Sequence, residues 1–143
     1  MNLNDLYQEI ILEHYKEPHN KGQLQGADAG SEGRNPMCGD EIKVSVKINA
    51  NIIEDIRFEG SGCAISQASA SVMTNAVKGL TLEQAEKTLR AFTAMIKNGD
   101  AICEIDPESE LAAFQGVSEY PTRIKCALLA WNALKNSLDQ VQG

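Results

Sequence analysis

No stretch of this chain is apolar for long enough to span a membrane. The opening Met1-Asn2-Leu3-Asn4-Asp5 has no charged leader followed by an apolar run, so no secretory signal is expected, and the protein is expected in the cytoplasm. Basic residues are scarce, with 13 Lys and Arg against 20 Asp and Glu. The resulting net charge of -7 argues against a nucleic-acid partner, whose phosphates select positive surfaces. No repeat, low-complexity tract or linker divides the 143 residues, which read as one domain spanning 1–143. There is no CxxC pair either, so the four cysteines do not announce a zinc knuckle by spacing. Without an export signal they read as cytosolic thiols or metal ligands, not as disulfides.

What is present is a core-forming chain with 43% hydrophobic residues, enough to fold without disulfide support. Leu3, Leu6, Tyr7, Ile10, Ile11 and His14 recur at helical spacing, and Pro18 ends the pattern, predicting a helix over about 3–16. Residues 17–34 are glycine-rich and aperiodic, which predicts a long, partly mobile loop. Ile42, Val44, Val46 and Ile48 alternate with polar residues, as do Ile52, Glu54, Ile56 and Phe58, and Asn49-Ala50-Asn51 lies between. That is an antiparallel hairpin, with Glu54 awkward on the apolar register. A lone hairpin is marginal, so a third strand is expected, its candidate near residues 24–30. Helices are predicted over Ala64–Lys78, from the capping box at Thr81 and Gln84 to about Lys97, over a short stretch at Glu108–Phe114, and over Thr122–Gln140. Strands followed by helices indicate an α+β fold.

Three of the four cysteines occupy special local positions. Cys38 lies on the turn Arg34-Asn35-Pro36-Met37-Cys38-Gly39-Asp40 before the first hairpin strand, where Gly39 allows thiol and carboxylate to converge. Cys63 follows Gly60-Ser61-Gly62 at the end of the second strand. A hairpin sets those two ends side by side. Cys63 also opens a helix, whose unpaired N–H groups favour negative charge on sulfur. Cys126 sits on the last helix with Ala130 and Ala133, off the stripe of Ile124, Leu128, Trp131, Leu134 and Leu138, on a face that permits close approach. Any one cysteine is most often a buried, inert residue, but three in such contexts point to a shared site. Cys103 has no such context and reads as a bystander. His14 reads as packed, His19 as a solvated loop residue, and either remains open as a further ligand. The acidic run Glu104–Glu110 reads as a solvated face. Three thiolates and a carboxylate suit tetrahedral Zn²⁺, with Asp40 the preferred fourth donor, and an oxygen donor makes one position exchangeable.

Asn35-Pro36-Met37-Cys38-Gly39-Asp40, Gly60-Ser61-Gly62-Cys63-Ala64-Ile65-Ser66 and Arg123-Ile124-Lys125-Cys126-Ala127-Leu128-Leu129-Ala130-Trp131 resemble the three signature blocks of the IscU/NifU N-terminal family. The likeness runs from His14-Tyr15-Lys16 to near the C-terminus. It implies a compact two-layer α+β sandwich of the SufE/NifU type, a three-stranded antiparallel sheet covered by about five helices. Iron–sulfur scaffolds of the IscU branch carry His before the third cysteine, where this chain has Lys125, which stays protonated near neutral pH. The segment between Cys63 and Cys126 is also longer than in that branch. Both departures resemble the SufU branch. That resemblance implies Zn²⁺ held by Cys38, Asp40, Cys63 and Cys126, and a SufS-type pyridoxal-phosphate cysteine desulfurase as partner. It further implies sulfurtransferase activity with Cys38 as sulfur acceptor, and delivery to downstream iron–sulfur assembly proteins. Arg123 is a candidate contact for an acidic group on the partner. Two other readings stand beside it, namely a scaffold that carries a transient iron–sulfur cluster and a small interaction module with structural zinc.

Overall fold

The computed structural model describes residues 3–37, 39–99, 105, 106 and 108–142, with residues 3–6 and 142 as backbone only. Cys38 and Cys103 therefore lie outside the described residues, as do parts of the run 104–110. In chain order the elements are α1 (Leu3–Lys16), β1 (Ala29–Asn35), β2 (Asp40–Asn49), β3 (Ile52–Ser61), α2 (Ala64–Val77), α3 (Leu82–Asn98), a 3₁₀ helix (Glu110–Glu119) and α4 (Pro121–Gln142).

The three strands form one antiparallel sheet in the order β1-β2-β3. Alternation decides which face is covered. Ile42, Val44 and Val46 of β2 are buried, while Glu41, Lys43 and Lys47 face solvent. α4 crosses the covered face against β1 and β2, and both α2 and α3 pack on it. The aromatic centre of the helical layer is Trp131 of α4 stacked on Phe92 of α3 at 4.3 Å, with Phe114 edge-on to Phe92 at 5.8 Å. Trp131 Nε1–H donates to Ser69 Oγ at 3.1 Å, and Ser69 Oγ–H donates to the Ala127 carbonyl at 2.7 Å. These two bonds lock α4 to α2 one residue from Cys126.

Several expectations change. The third strand is β1 at Ala29–Asn35, later than the candidate near 24–30, and it takes up the end of the expected loop. Its sequence, Ala-Gly-Ser-Glu-Gly-Arg-Asn, has almost no apolar alternation to betray it. β1 packs against α4, and a Cβ on Gly33 would meet the Leu129 side chain at 2.9 Å. Farther back in that loop, the Asn20 carbonyl accepts from Phe58 N–H at 3.1 Å and Gly22 N–H donates to Phe58 O at 2.9 Å, covering part of the outer edge of β3. Glu54 is awkward because the register slips. Lys47 pairs with Asp55 but Ile48 pairs with Ile53, so Glu54 is the extra residue of a β-bulge. Ile53, not Ile52, then faces the core. The short helix expected at Glu108–Phe114 is a 3₁₀ helix over Glu110–Glu119. α4 is buried on two faces, since Cys126, Ala130 and Ala133 are as inaccessible as Trp131 and Leu134. The capping box of α3 is present, with Gln84 N–H to Thr81 Oγ1 at 3.1 Å and Thr81 N–H to Gln84 Oε1 at 3.0 Å.

Candidate metal centre

The site forms where three chain segments meet at one end of the sheet. Asn35 and Asp40 are cross-strand partners closing the β1–β2 pair, so the intervening turn stands directly above them. Gly39 has φ +69°, a left-handed conformation that glycine adopts without cost. Asp40 is 1% exposed. On the neighbouring strand, β3 ends at Ser61, and Gly62 turns the chain at φ +147°. A Cβ on Gly62 would run into the Asp40 carboxyl group, so only glycine lets the two strand ends approach. Cys63 then stands as the N-cap of α2.

This approach settles the Asp40 side chain. Cys63 N–H donates to Asp40 Oδ1 at 2.8 Å, and Oδ2 lies 3.7 Å from Cys63 Sγ. Cys126 comes from below, on the second turn of α4, and is fully buried. Its Sγ lies 3.6 Å from the Thr122 carbonyl oxygen, and Asn35 Nδ2–H donates to it at 3.7 Å. A ligand atom from each of Asp40, Cys63 and Cys126 falls within 4.8 Å of the other two. Donors around tetrahedral zinc lie roughly 3.3–3.8 Å apart, given metal–ligand bonds of about 2.0–2.3 Å. The Asp40 Oδ2–Cys63 Sγ pair already has this spacing at 3.7 Å, and two sulfurs with one carboxylate oxygen, the other carboxylate oxygen held by backbone, make a donor set that suits zinc.

The other sequence candidates are elsewhere. His14 is buried away from the cluster, its Nδ1 2.7 Å from Ser71 Oγ and its Nε2 2.8 Å from Glu110 Oε2. Glu110 is thus tied to α1 and is not simply part of a solvated face. His19 is exposed, with Nδ1 accepting from Asn75 Nδ2–H at 2.7 Å. Among the described residues neither histidine joins Asp40, Cys63 and Cys126. Arg123 is exposed on the first turn of α4, at the edge of a cleft of about 440 Å³ that Tyr7, Ile11, Ile65 and Tyr120 also line. Lys125 points to solvent. The residue that sequence reasoning passed over is Asn35. It stood in the turn motif, but only the fold reveals that its amide reaches a cysteine on α4.

Residues 6–139 match the family model of the NifU-like N terminal domain. The zinc-dependent sulfurtransferase SufU of Bacillus subtilis is 43% identical over 142 residues, which cover 99% of this chain and 95% of that protein. The iron–sulfur cluster assembly scaffold protein IscU of Streptococcus pyogenes is 44% identical over 137 residues, covering 95% and 84%. The crystal structure of a nitrogen-fixing NifU-like protein (N-terminal) from Brucella abortus superposes with a TM-score of 0.83 at 29% identity, over 98% of this chain and 96% of that one. Matched along nearly all its length by both sequence and fold, this chain belongs to the family of NifU-like N-terminal domains.

Proposed function

We propose that the protein is a zinc-dependent sulfur acceptor, which takes persulfide sulfur from a SufS-type pyridoxal-phosphate cysteine desulfurase for iron–sulfur cluster assembly. Cys38, Asp40, Cys63 and Cys126 would hold the zinc, and Cys38 would be the acceptor. The observation that carries this reading is the convergence of Asp40, Cys63 and Cys126 from three segments beside the turn that bears Cys38. Bound zinc supplies positive charge that keeps the surrounding sulfurs as thiolates.

The chain's own residues divide the remaining work. Cys126 is fully buried and held from two sides, so no donor persulfide reaches it. Cys63 is tied by its backbone to Asp40. In sequence Cys38 falls between Met37 and Gly39, and Pro36, Met37 and Gly39 are all exposed, Met37 by 86%. In the transfer, the Cys38 thiolate attacks the terminal sulfur of the donor persulfide. A new sulfur–sulfur bond forms at Cys38, the donor's own sulfur–sulfur bond breaks, and the donor leaves as a thiolate. The terminal sulfur keeps its proton, and no outside oxidant or reductant is required. Arg123 would meet an acidic group of the desulfurase at the rim of its cleft.

The names of the relatives favour a second reading, since scaffold proteins match at similar identity. In that case the same residues would hold a transient iron–sulfur cluster. The exposed Lys125 beside Cys126 supplies no ligand for it and supports the first reading. Metal analysis of aerobically purified protein, followed by incubation with the desulfurase and L-cysteine, separates the two. Bound zinc, faster cysteine turnover and a sulfur added to Cys38 by mass spectrometry are expected. Iron with acid-labile sulfide would establish the scaffold, and zinc with neither response would leave only a structural module.

A further inference from the structure

Asn35 is 6% exposed, a burial at which a side-chain amide needs hydrogen-bond partners. Its donor goes to sulfur, with Nδ2 3.7 Å from Cys126 Sγ across 91 positions of sequence. The backbone that carries it is pinned, because Asn35 is the cross-strand partner of Asp40. One residue therefore joins the carboxylate strand to the cysteine helix. The chemistry of the pair is specific. A thiolate is a strong acceptor for N–H, whereas a thiol is a weak one. Leucine would fill the same space and leave the sulfur without that donor, and aspartate would set a carboxylate against it.

We propose that Asn35 is a positioning residue for the metal centre. It aims Cys126 Sγ towards Asp40 and Cys63, and it draws electron density from that sulfur, so that Cys126 serves as a held ligand and not as a competing nucleophile. This rests on the zinc reading above, and the test below tells a failure of that reading from a failure of the role of Asn35.

The test uses the full chain loaded with cobalt(II) or zinc. In Asn35→Leu the sulfur-to-cobalt charge-transfer band moves to lower energy, because the sulfur lone pairs lose the stabilising N–H. Zinc passes to a chromogenic chelator about 10–100-fold faster, the usual range for loss of a group that supports a metal ligand. Asn35→Asp, of nearly the same size and without the donor, gives the same direction of band shift and serves if the leucine variant does not fold. A third measurement needs no variant. With cadmium-113 bound, the Asn35 side-chain amide proton of the unaltered protein shows scalar coupling to the metal through the Cys126 sulfur. A folded variant with the band and release rate unchanged overturns the role of Asn35, as does absence of that coupling. A wild-type protein with no sulfur-to-cobalt band at all overturns the zinc reading, and this inference with it.

Discussion

Cys63 N–H donates to Asp40 Oδ1 at 2.8 Å, which commits one carboxylate oxygen to the backbone and leaves Oδ2 facing the Cys63 sulfur at 3.7 Å. The bond exists only because Gly62 has no side chain. In Gly62→Ala the new methyl meets the Asp40 carboxyl, in a backbone conformation at φ +147° that L residues rarely adopt. The expected cost is about 1–3 kcal/mol from backbone strain, before the displaced carboxylate is counted. Zinc affinity should fall in parallel. Urea denaturation and zinc competition measure the two effects. Ser61→Ala, one residue earlier and exposed, should change neither.

Much of this arrangement was legible in the sequence, for reasons that differ by residue. Hairpin logic alone puts the ends of β2 and β3 side by side, and with them Asp40 and Cys63. The capping box at Thr81 and the helical spacing in α1 and α4 are local signals, and the local structure follows them. β1 was harder, since Gly30, Gly33 and polar neighbours carry no period-two apolar pattern. Its strand character comes from β2 on one side and α4 above. Glu54 misled because strict alternation cannot anticipate a bulge. Asn35 was in plain view, yet its partner is 91 positions away, and no local pattern encodes that distance. The link from His14 to Glu110 was hidden for the same reason.

That link is a stabilising element. The His14 ring is 2% exposed and bonded at both nitrogens, to Ser71 on α2 and to Glu110 on the 3₁₀ helix. Glu110→Ala leaves Nε2 without its acceptor in a buried position, with an expected loss of about 1–3 kcal/mol. Glu110→Gln keeps an acceptor oxygen and should lose less. Because Glu110 is 48% exposed, the charge itself adds little. Urea denaturation near neutral pH orders the three proteins as wild type, Gln, Ala.

Asp55 sets a pH dependence. Burial opposes its ionised form, but the Ile56 N–H at 2.9 Å, Lys78 at 3.2 Å and Arg57 at 3.8 Å together outweigh it and hold the carboxyl below its ordinary 3.8. A depressed folded-state value means the stabilisation is fully present above the unfolded value, about 3.9, and is lost as pH falls through the folded one. Asp55→Asn should therefore lower stability near neutral pH. The gap to wild type should close as the solution is acidified below pH of about 4. Chemical denaturation of both proteins across this window checks the sign, and a gap that widened in acid would contradict it.

Gln67 offers the opposite case, a substitution expected to stabilise. It lies on the first turn of α2, 4% exposed, with its N–H donating to the Cys63 carbonyl at 3.2 Å. The side-chain Nε2–H reaches Ser66 Oγ at a long 3.3 Å, and Oε1 is buried with no hydrogen-bond partner among the described residues. An unsatisfied buried carbonyl costs about 1–3 kcal/mol, while an apolar group of the same shape carries no such penalty. Methionine has a similar length and an unbranched, adaptable stem. Gln67→Met should gain about 1 kcal/mol, a rise of roughly 2–4 °C in Tm for a chain of this size. Because the Cys63 bond from residue 67 is made by backbone, Asp40, Cys63 and Cys126 should stay in place. Zinc release to a chelator should then match wild type while thermal stability rises. Faster release would assign Oε1 to the metal centre, and lower stability would show that it is bonded in solution.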